Sequence, residues 1–174
     1  MRIEPATTYS DAVKAALDKI MPPGVPPLAL FTTLARNERV FSRVMAGGLL
    51  DRGSLTMRDR ELVIDRTCWR CGAEYEWGVH IAFYGARVKL TAPEIAAICS
   101  EDTSVFAPRE QLLLRMCDEL HRTTTLGDEL WTALAAEWSA EQLVELVVLA
   151  GLYHMISFAA NAFGLAPEPF AARF

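Results

Sequence analysis

The amino-acid sequence predicts an all-α protein, and three observations carry that prediction. Apolar residues recur at three- and four-residue spacing in one segment after another. Thr56, Thr91 and Ser139 each stand three residues ahead of an Asp, Glu or Gln, the spacing of a helix-opening capping box. No run shows strict alternation of apolar and polar residues, and no Asn-Gly or Asp-Gly pair joins two β-branched runs.

Taken in order, Ser10 is a helix cap ahead of Val13, Ala16, Leu17 and Ile20. Met21-Pro22-Pro23-Gly24-Val25-Pro26-Pro27 forbids continuation, so residues 1–27 read as a short helix and a stiff arm. Residues 28–174 read as one helical domain. Within it, 28–35 predicts a turn or two of helix, and Asn37 caps a segment with Val40, Phe41, Val44 and Met45 on one apolar face, ending near Gly47-Gly48. Thr56 opens a helix from 57 toward 68 that buries Leu62 and Val63; the pattern weakens at Gly72 and resumes through Tyr75, Trp77, Ile81 and Tyr84 to a stop at Gly85. Thr91 opens a short helix through Ile98, and Pro108 starts one carrying Leu112, Leu113, Met116 and Leu120. A further helix spans 128–138, and Ser139 opens a long apolar one that ends at Gly164. Residues 55–64 and 139–148, offset by 84 positions, share a helix start followed by Glu-Leu-Val, a weak internal repeat that predicts two related helical halves.

With 174 residues, 52% of them hydrophobic, the chain can build one substantial core. A net charge of -5, with the arginines scattered among acids, argues against a nucleic-acid or anionic-membrane surface. The first nine residues have neither the apolar stretch of a signal peptide nor the Arg/Ser-rich look of a transit peptide, so a cytoplasmic protein is expected. Residues 143–163 are long and apolar enough to span a bilayer but carry Glu145, His154 and Asn161, each costly in lipid; a buried helix of a soluble protein is expected instead.

The chemistry concentrates in residues 60–85, RELVIDRTCWRCGAEYEWGVHIAFYG. Glu76 and His80 are four apart, so on a helix their β-carbons lie about 5–6 Å from one another. A carboxylate there holds an imidazole in one tautomer and raises its pKa, as a proton-transferring histidine requires. The ordinary alternative is an exposed pair of no consequence, which Trp77, Ile81 and Tyr84 on the same helix disfavour. Glu61 reaches His80 if the two helices pack antiparallel, making an acid-histidine-acid relay; otherwise it is a first-turn acid serving the helix dipole. Asp65 and Arg66 read as a local pair, or Arg66 turns inward to anchor a carboxylate. Tyr153 and His154, on the long apolar helix, are core residues or a second wall of the pocket.

Cys68 and Cys71 form a CxxC flanked by Arg66 and Arg70, which reads as a redox dithiol or as plain buried cysteines. Zinc needs four ligands, and no second CxxC or HxxxH supplies them, so no metal is expected. Cys99 and Cys117 read as core, and His121, among Glu119 and Arg122, as exposed. Four cysteines in an intracellular chain of this size do not suggest a disulfide framework.

Arg60-Glu61-Leu62-Val63, with His80 nineteen residues after the Glu, resembles the carboxymuconolactone decarboxylase superfamily, which includes the alkylhydroperoxidase-D-like (AhpD-like) thiol peroxidases. The likeness covers most of the chain beyond Leu28. It implies an all-α AhpD-like fold with a duplicated helical core and a homo-oligomer, trimer, hexamer or dimer. In peroxidase-like members the redox CxxC stands seven and four residues before the histidine, which here are Ala73 and Glu76; the CxxC at Cys68 and Cys71 lies five residues too early. Decarboxylase-like members commonly carry a glutamate four before the histidine, which Glu76 matches. The N-terminal arm and the Glu74-Tyr75-Glu76-Trp77 run depart from the small decarboxylases, so their substrate does not carry over.

Residues and resemblance together predict a cofactor-free lyase acting on a small carboxylated lactone or related enolisable acid. His80 would donate the proton, Glu76 and Glu61 would orient it, Arg66 would hold the carboxylate, and Trp77, Tyr84, Tyr153 and His154 would line the pocket. The alternatives are a thiol-dependent peroxidase or disulfide reductase cycling Cys68 and Cys71, and a non-catalytic oligomeric module that binds a small acid.

Overall fold

The cap, proline and glycine signals cut the chain into nine α-helices in a computed structural model that describes residues 1–22 and 24–174. These are α1 (Asp11–Ile20), α2 (Ala29–Leu34), α3 (Glu38–Ala46), α4 (Met57–Arg70), α5 (Glu74–His80), α6 (Ala92–Ile98), α7 (Pro108–Thr123), α8 (Asp128–Glu137) and α9 (Ala140–Phe163). A single π-helical turn, Ile81–Gly85, continues α5 directly. No strand occurs among the described residues, and Pro23 of the predicted arm lies outside them.

The predicted caps act as such. The side chains of Ser10, Asn37, Thr56, Thr91 and Ser139 accept the backbone N–H three residues on, and Thr91 and Ser139 complete reciprocal boxes with Glu94 and Gln142. Gly164 ends α9 at φ +64°, a left-handed conformation that glycine adopts without a Cβ penalty.

Helix α4 runs through the middle, packed against α7, α9 and α5. Ten consecutive residues, Asp59 through Cys68, are buried, so the polar members of that run must find partners inside the protein. Arg109 clamps Asp59 with two hydrogen bonds of 2.9 and 3.0 Å, Asp118 clamps Arg66, and Glu61 takes Arg60 and His80. Val13 and Leu17 of α1 belong to the same continuous apolar core as the helices that follow.

Two sequence expectations change. Of the predicted apolar face of α3 only Phe41 is fully buried; Val44 and Met45 are partly buried against the core and Val40 is exposed, because α3 packs mainly on α1 and α2. Helix α9 is not buried all round. It turns Leu146, Leu149, Tyr153 and Ile156 into the core but leaves Val144, Val148, Met155 and Phe158 exposed along the opposite face.

The C-terminal segment lies across α5. Ala172 N–H donates to the Gly78 carbonyl at 3.0 Å, Arg173 forms an ion pair with Glu74, and the Phe174 ring meets Trp77 edge-on at 5.1 Å. A Cβ on Gly78 would fall 2.2 Å from the Ala172 carbonyl oxygen, so only glycine permits this close approach.

Candidate active site

Glu61 sits in the second turn of α4 and His80 is the last residue of α5. The antiparallel packing of the two helices brings His80 Nδ1 to 2.7 Å from Glu61 Oε2. Both side chains are buried, at 3% and 0% exposure. The other oxygen of Glu61 accepts from Arg60 Nε at 3.0 Å, and Arg60 Nη1 donates to the Leu50 carbonyl. On the far side of the imidazole, Nε2 lies 3.0 Å from Tyr153 Oη of α9 and 3.5 Å from Glu76 Oε1, one turn back on α5. Tyr84, in the π-helical turn, lays its ring 5.3 Å from that of His80 and is partly exposed. Arg60 and Arg87 both approach the Tyr84 ring, at 5.5 and 5.4 Å from its centre.

Electrostatics follow from this geometry. Burial alone would push the imidazolium down, but hydrogen bonds and charge from Glu61 and Glu76 outweigh it, holding the His80 pKa well above the ordinary value. Burial raises the Tyr153 hydroxyl, with Glu76 adding to the effect, so it stays neutral. Asp65, one turn after Glu61 and 1% exposed, is also raised well above the carboxylate range, first by burial; His80 opposes this and the neighbouring acids add to it. Asp65 Oδ1 and Glu76 Oε2 have no hydrogen-bond partner among the described residues. Orphaned buried oxygens are rare, and both of these belong to the acids around His80.

The other predicted residues fall elsewhere. Arg66 is corrected from carboxylate anchor to strut. It is fully buried, its Nε and Nη2 bind Asp118 at 2.7 Å each, and its Nη1 is taken by the carbonyls of Ala97, Ile98 and Ser100, so the guanidinium is committed to holding α4 against α7 and the α6 end. The cation beside the histidine is Arg60. Trp77 turns away from the imidazole toward Phe174 and packs under the C-terminal segment. His154 follows Tyr153 by one residue, about 100° round the helix, and faces α7 instead: its Nδ1 lies 2.8 Å from the Ala150 carbonyl and its Nε2 3.1 Å from His121 Nδ1.

The cysteines divide as well. Cys68 is wholly buried beside Ser157 Oγ at 3.9 Å, and Cys71 places its sulfur 3.8 Å from His121 Nδ1. Burial raises both thiols, and for Cys68 Glu76 and Asp65 raise it further. Both stand at the C-terminal end of α4, where the helix dipole also opposes a thiolate.

Asp65 and Tyr153 complete the His80 cluster in ways the sequence reading missed. Asp65 was legible, because it stands four residues after Glu61 and therefore on the same face. Tyr153 was read as pocket lining; that it bonds His80 depends on the rotation of α9 about its axis, which local spacing does not give.

Two groups of side chains are close enough to share a metal ion: the buried set Glu61, Asp65 and His80, and the set Cys71, His121 and His154 nearer the surface. In the buried set the 2.7 Å contact from His80 to Glu61 is a charge-assisted hydrogen bond and Arg60 occupies the other Glu61 oxygen, which favours a proton over a metal.

The helix order and the buried carboxylate–histidine pair between α4 and α5 sit within the AhpD-like helical fold. No model of a protein family and no curated protein sequence matches the chain. Among solved structures it is similar to an uncharacterized peroxidase-related protein from Silicibacter sp. TM1040, at 13% identity and a TM-score of 0.82 over 94% of this chain and 88% of that one. It is also similar to an uncharacterized peroxidase-related protein from Ralstonia eutropha JMP134, an alkylhydroperoxidase AhpD core, at 18% identity and a TM-score of 0.76 over 92% and 87%. At these identities the likeness establishes the fold.

Proposed function

We propose that the protein is a cofactor-free acid–base enzyme that decarboxylates, or otherwise protonates through an enolate, a small carboxylated lactone or related enolisable acid. The observation that carries this reading is the buried imidazole held between Glu61 at 2.7 Å and Tyr153 at 3.0 Å, with no sulfur among its hydrogen-bond partners. When CO2 leaves such a substrate, the bonding electron pair stays on carbon as an enolate and one proton must be delivered to it. His80 Nε2–H supplies that proton directly or through the Tyr153 hydroxyl, Glu61 stabilises the cation on Nδ1, and solvent later restores the proton. Arg60, although paired with Glu61, makes the local electrostatic potential more positive and so favours an incoming carboxylate. Arg87, exposed over Tyr84 and without a carboxylate partner among the described residues, stands where that carboxylate would arrive. The raised His80 pKa keeps the donor charged at neutral pH, so turnover declines on the alkaline side as His80 deprotonates. The test is a panel of small carboxylated lactones and β-keto acids in D2O: product with one carbon-bound deuterium supports the reading, and intact acids throughout the panel remove it.

A thiol peroxidase or disulfide reductase is the second reading, favoured by Cys71 beside His121 on a CxxC and by the peroxidase-related names of the structural neighbours. The buried, upward-shifted thiols weigh against it. Thiol titration before and after low peroxide decides it: loss of two thiols per chain supports a working pair. Self-association is also proposed. Val144, Val148, Met155 and Phe158, spaced four, seven and three residues apart, lie along one exposed face of α9, which a second copy would cover.

A further inference from the structure

A second cluster stands apart from His80, where three helices meet. Cys71 is the C-terminal cap of α4, His121 lies in the last turn of α7, and His154 is in the middle of α9. We propose that Cys71, His121 and His154 form a binding site for a divalent ion of the zinc class, with the fourth coordination position open to water or a small ligand.

The spacing of the donor atoms is the first argument. A tetrahedral zinc with bonds of about 2.0–2.1 Å to nitrogen and about 2.3 Å to sulfur sets ligand atoms about 3.3 Å apart for N···N and about 3.5 Å for S···N. Here His121 Nδ1 and His154 Nε2 are 3.1 Å apart, and Cys71 Sγ and His121 Nδ1 are 3.8 Å apart. All three donor atoms fall within 4.8 Å of one another. The two histidine nitrogens and the Cys71–His121 pair stand within a few tenths of an ångström of those separations, and side-chain rotation brings Cys71 Sγ and His154 Nε2 together on the ion.

The second argument is the tautomer. His154 Nδ1 lies 2.8 Å from the Ala150 carbonyl, which can only accept, so Nδ1 carries the hydrogen and Nε2 presents its lone pair to the cluster. A backbone carbonyl on the distal nitrogen is the arrangement that orients metal-bound histidines. The thiol's backbone is held too, since Asn161 Nδ2 donates to the Cys71 carbonyl at 2.8 Å. Arg70, the nearest cation on α4, is neutralised by Asp118 and Glu101 and leaves no uncompensated positive charge against the ion.

The donor set selects the metal. One thiolate and two imidazoles suit zinc and its borderline neighbours, whereas magnesium and calcium require oxygen ligands. Binding displaces the Cys71 proton to solvent, pins the C-terminal ends of α4 and α7 to the middle of α9, and withdraws Cys71 from any disulfide with Cys68.

The competing interpretation is a bare N–H···N hydrogen bond between two histidines with a thiol beside it, and cobalt separates the two. The full-length protein is stripped with chelator and titrated with Co(II), then with Zn(II) in competition with a chromogenic chelator. The expected result is one ion per chain, a near-ultraviolet thiolate-to-cobalt charge-transfer band with tetrahedral visible bands, and a melting temperature raised by zinc. Cys71→Ser removes the charge-transfer band. His121→Ala and His154→Ala each weaken zinc by more than the roughly 10–100-fold that loss of an outer-shell partner costs, and lose the zinc-dependent melting shift. Cys99→Ser, at another partly exposed thiol, changes none of these. Absence of the charge-transfer band in the unmodified protein, its persistence in Cys71→Ser, or unchanged zinc affinity in His154→Ala overturns the proposal. All four substituted positions lie at least partly exposed, and unchanged helical circular dichroism in the metal-free variants verifies their fold.

Discussion

Replacing Glu61 by Gln keeps the shape of the side chain and removes its charge, which makes it the sharpest probe of the His80 cluster. Glu61 faces two buried cations, accepting from Arg60 at 3.0 Å and from His80 at 2.7 Å. With the charges of Glu61 and His80 about 4 Å apart and an effective dielectric near 20, their attraction is about 4 kcal/mol. Removing one member of a buried ion pair costs about 3–5 kcal/mol because the survivor is left desolvated and unpaired. The pH dependence carries the sign. His80 is raised above its unfolded value, so its contribution to stability is fully present below the ordinary histidine pKa of about 6.5 and is lost as pH rises through the folded value. In the variant the chief raising partner is gone while burial still pushes downward, so His80 titrates lower. The loss of stability is therefore largest below about pH 6.5 and shrinks as pH rises through the folded His80 value, beyond which only the Arg60 share remains. Urea unfolding across that range, with the His80 imidazole followed by NMR, measures both quantities. An unchanged or higher His80 titration, or a stability loss that grows with pH, would refute the reasoning.

Other consequences follow from the same contacts. Arg66→Met removes a buried strut and leaves Asp118 and three carbonyls short of donors, so it lowers stability by about 3–5 kcal/mol; thermal melting at or near the unmodified value would show that Arg66 is not structural. Gly78→Ala drives a methyl to 2.2 Å from the Ala172 carbonyl oxygen, costs about 1–3 kcal/mol and frees the C-terminal segment for proteolysis; an unchanged digestion pattern would count against the close approach. Val144→Glu with Val148→Glu charges the exposed face of α9, and sedimentation should shift from an assembly to the 19.3 kDa monomer; an assembly that survives the change places the interface elsewhere.

Much of the fold was legible because helices announce themselves locally. Thr56, Thr91 and Ser139 each cap where their spacing says they should, and Gly164 stops α9. What failed was the question of which face turns inward. Arg60 and Arg66 look alike in sequence, yet Arg66 lies five residues past Glu61, about 140° away round the helix, and meets α7, while Arg60 reaches back to the Glu61 carboxylate. The same rotation separates Tyr153 from His154 and sends one to His80 and the other to His121. Local spacing does not reveal the Cys71, His121 and His154 cluster, because the three lie far apart in sequence and no run contains two of them within ligand spacing. The stretch 60–85 places Glu61, Glu76 and His80 correctly as a group, and the CxxC within it serves a different neighbourhood.

The central claim is that the histidine, and not the thiol pair, performs the chemistry. Its most direct test sets His80→Gln beside Cys68→Ser/Cys71→Ser on whichever small enolisable acid the unmodified protein turns over. Turnover falling by at least roughly 100-fold in His80→Gln while the double cysteine variant keeps it is the predicted result; turnover lost with the cysteines and retained without the imidazole would contradict the account.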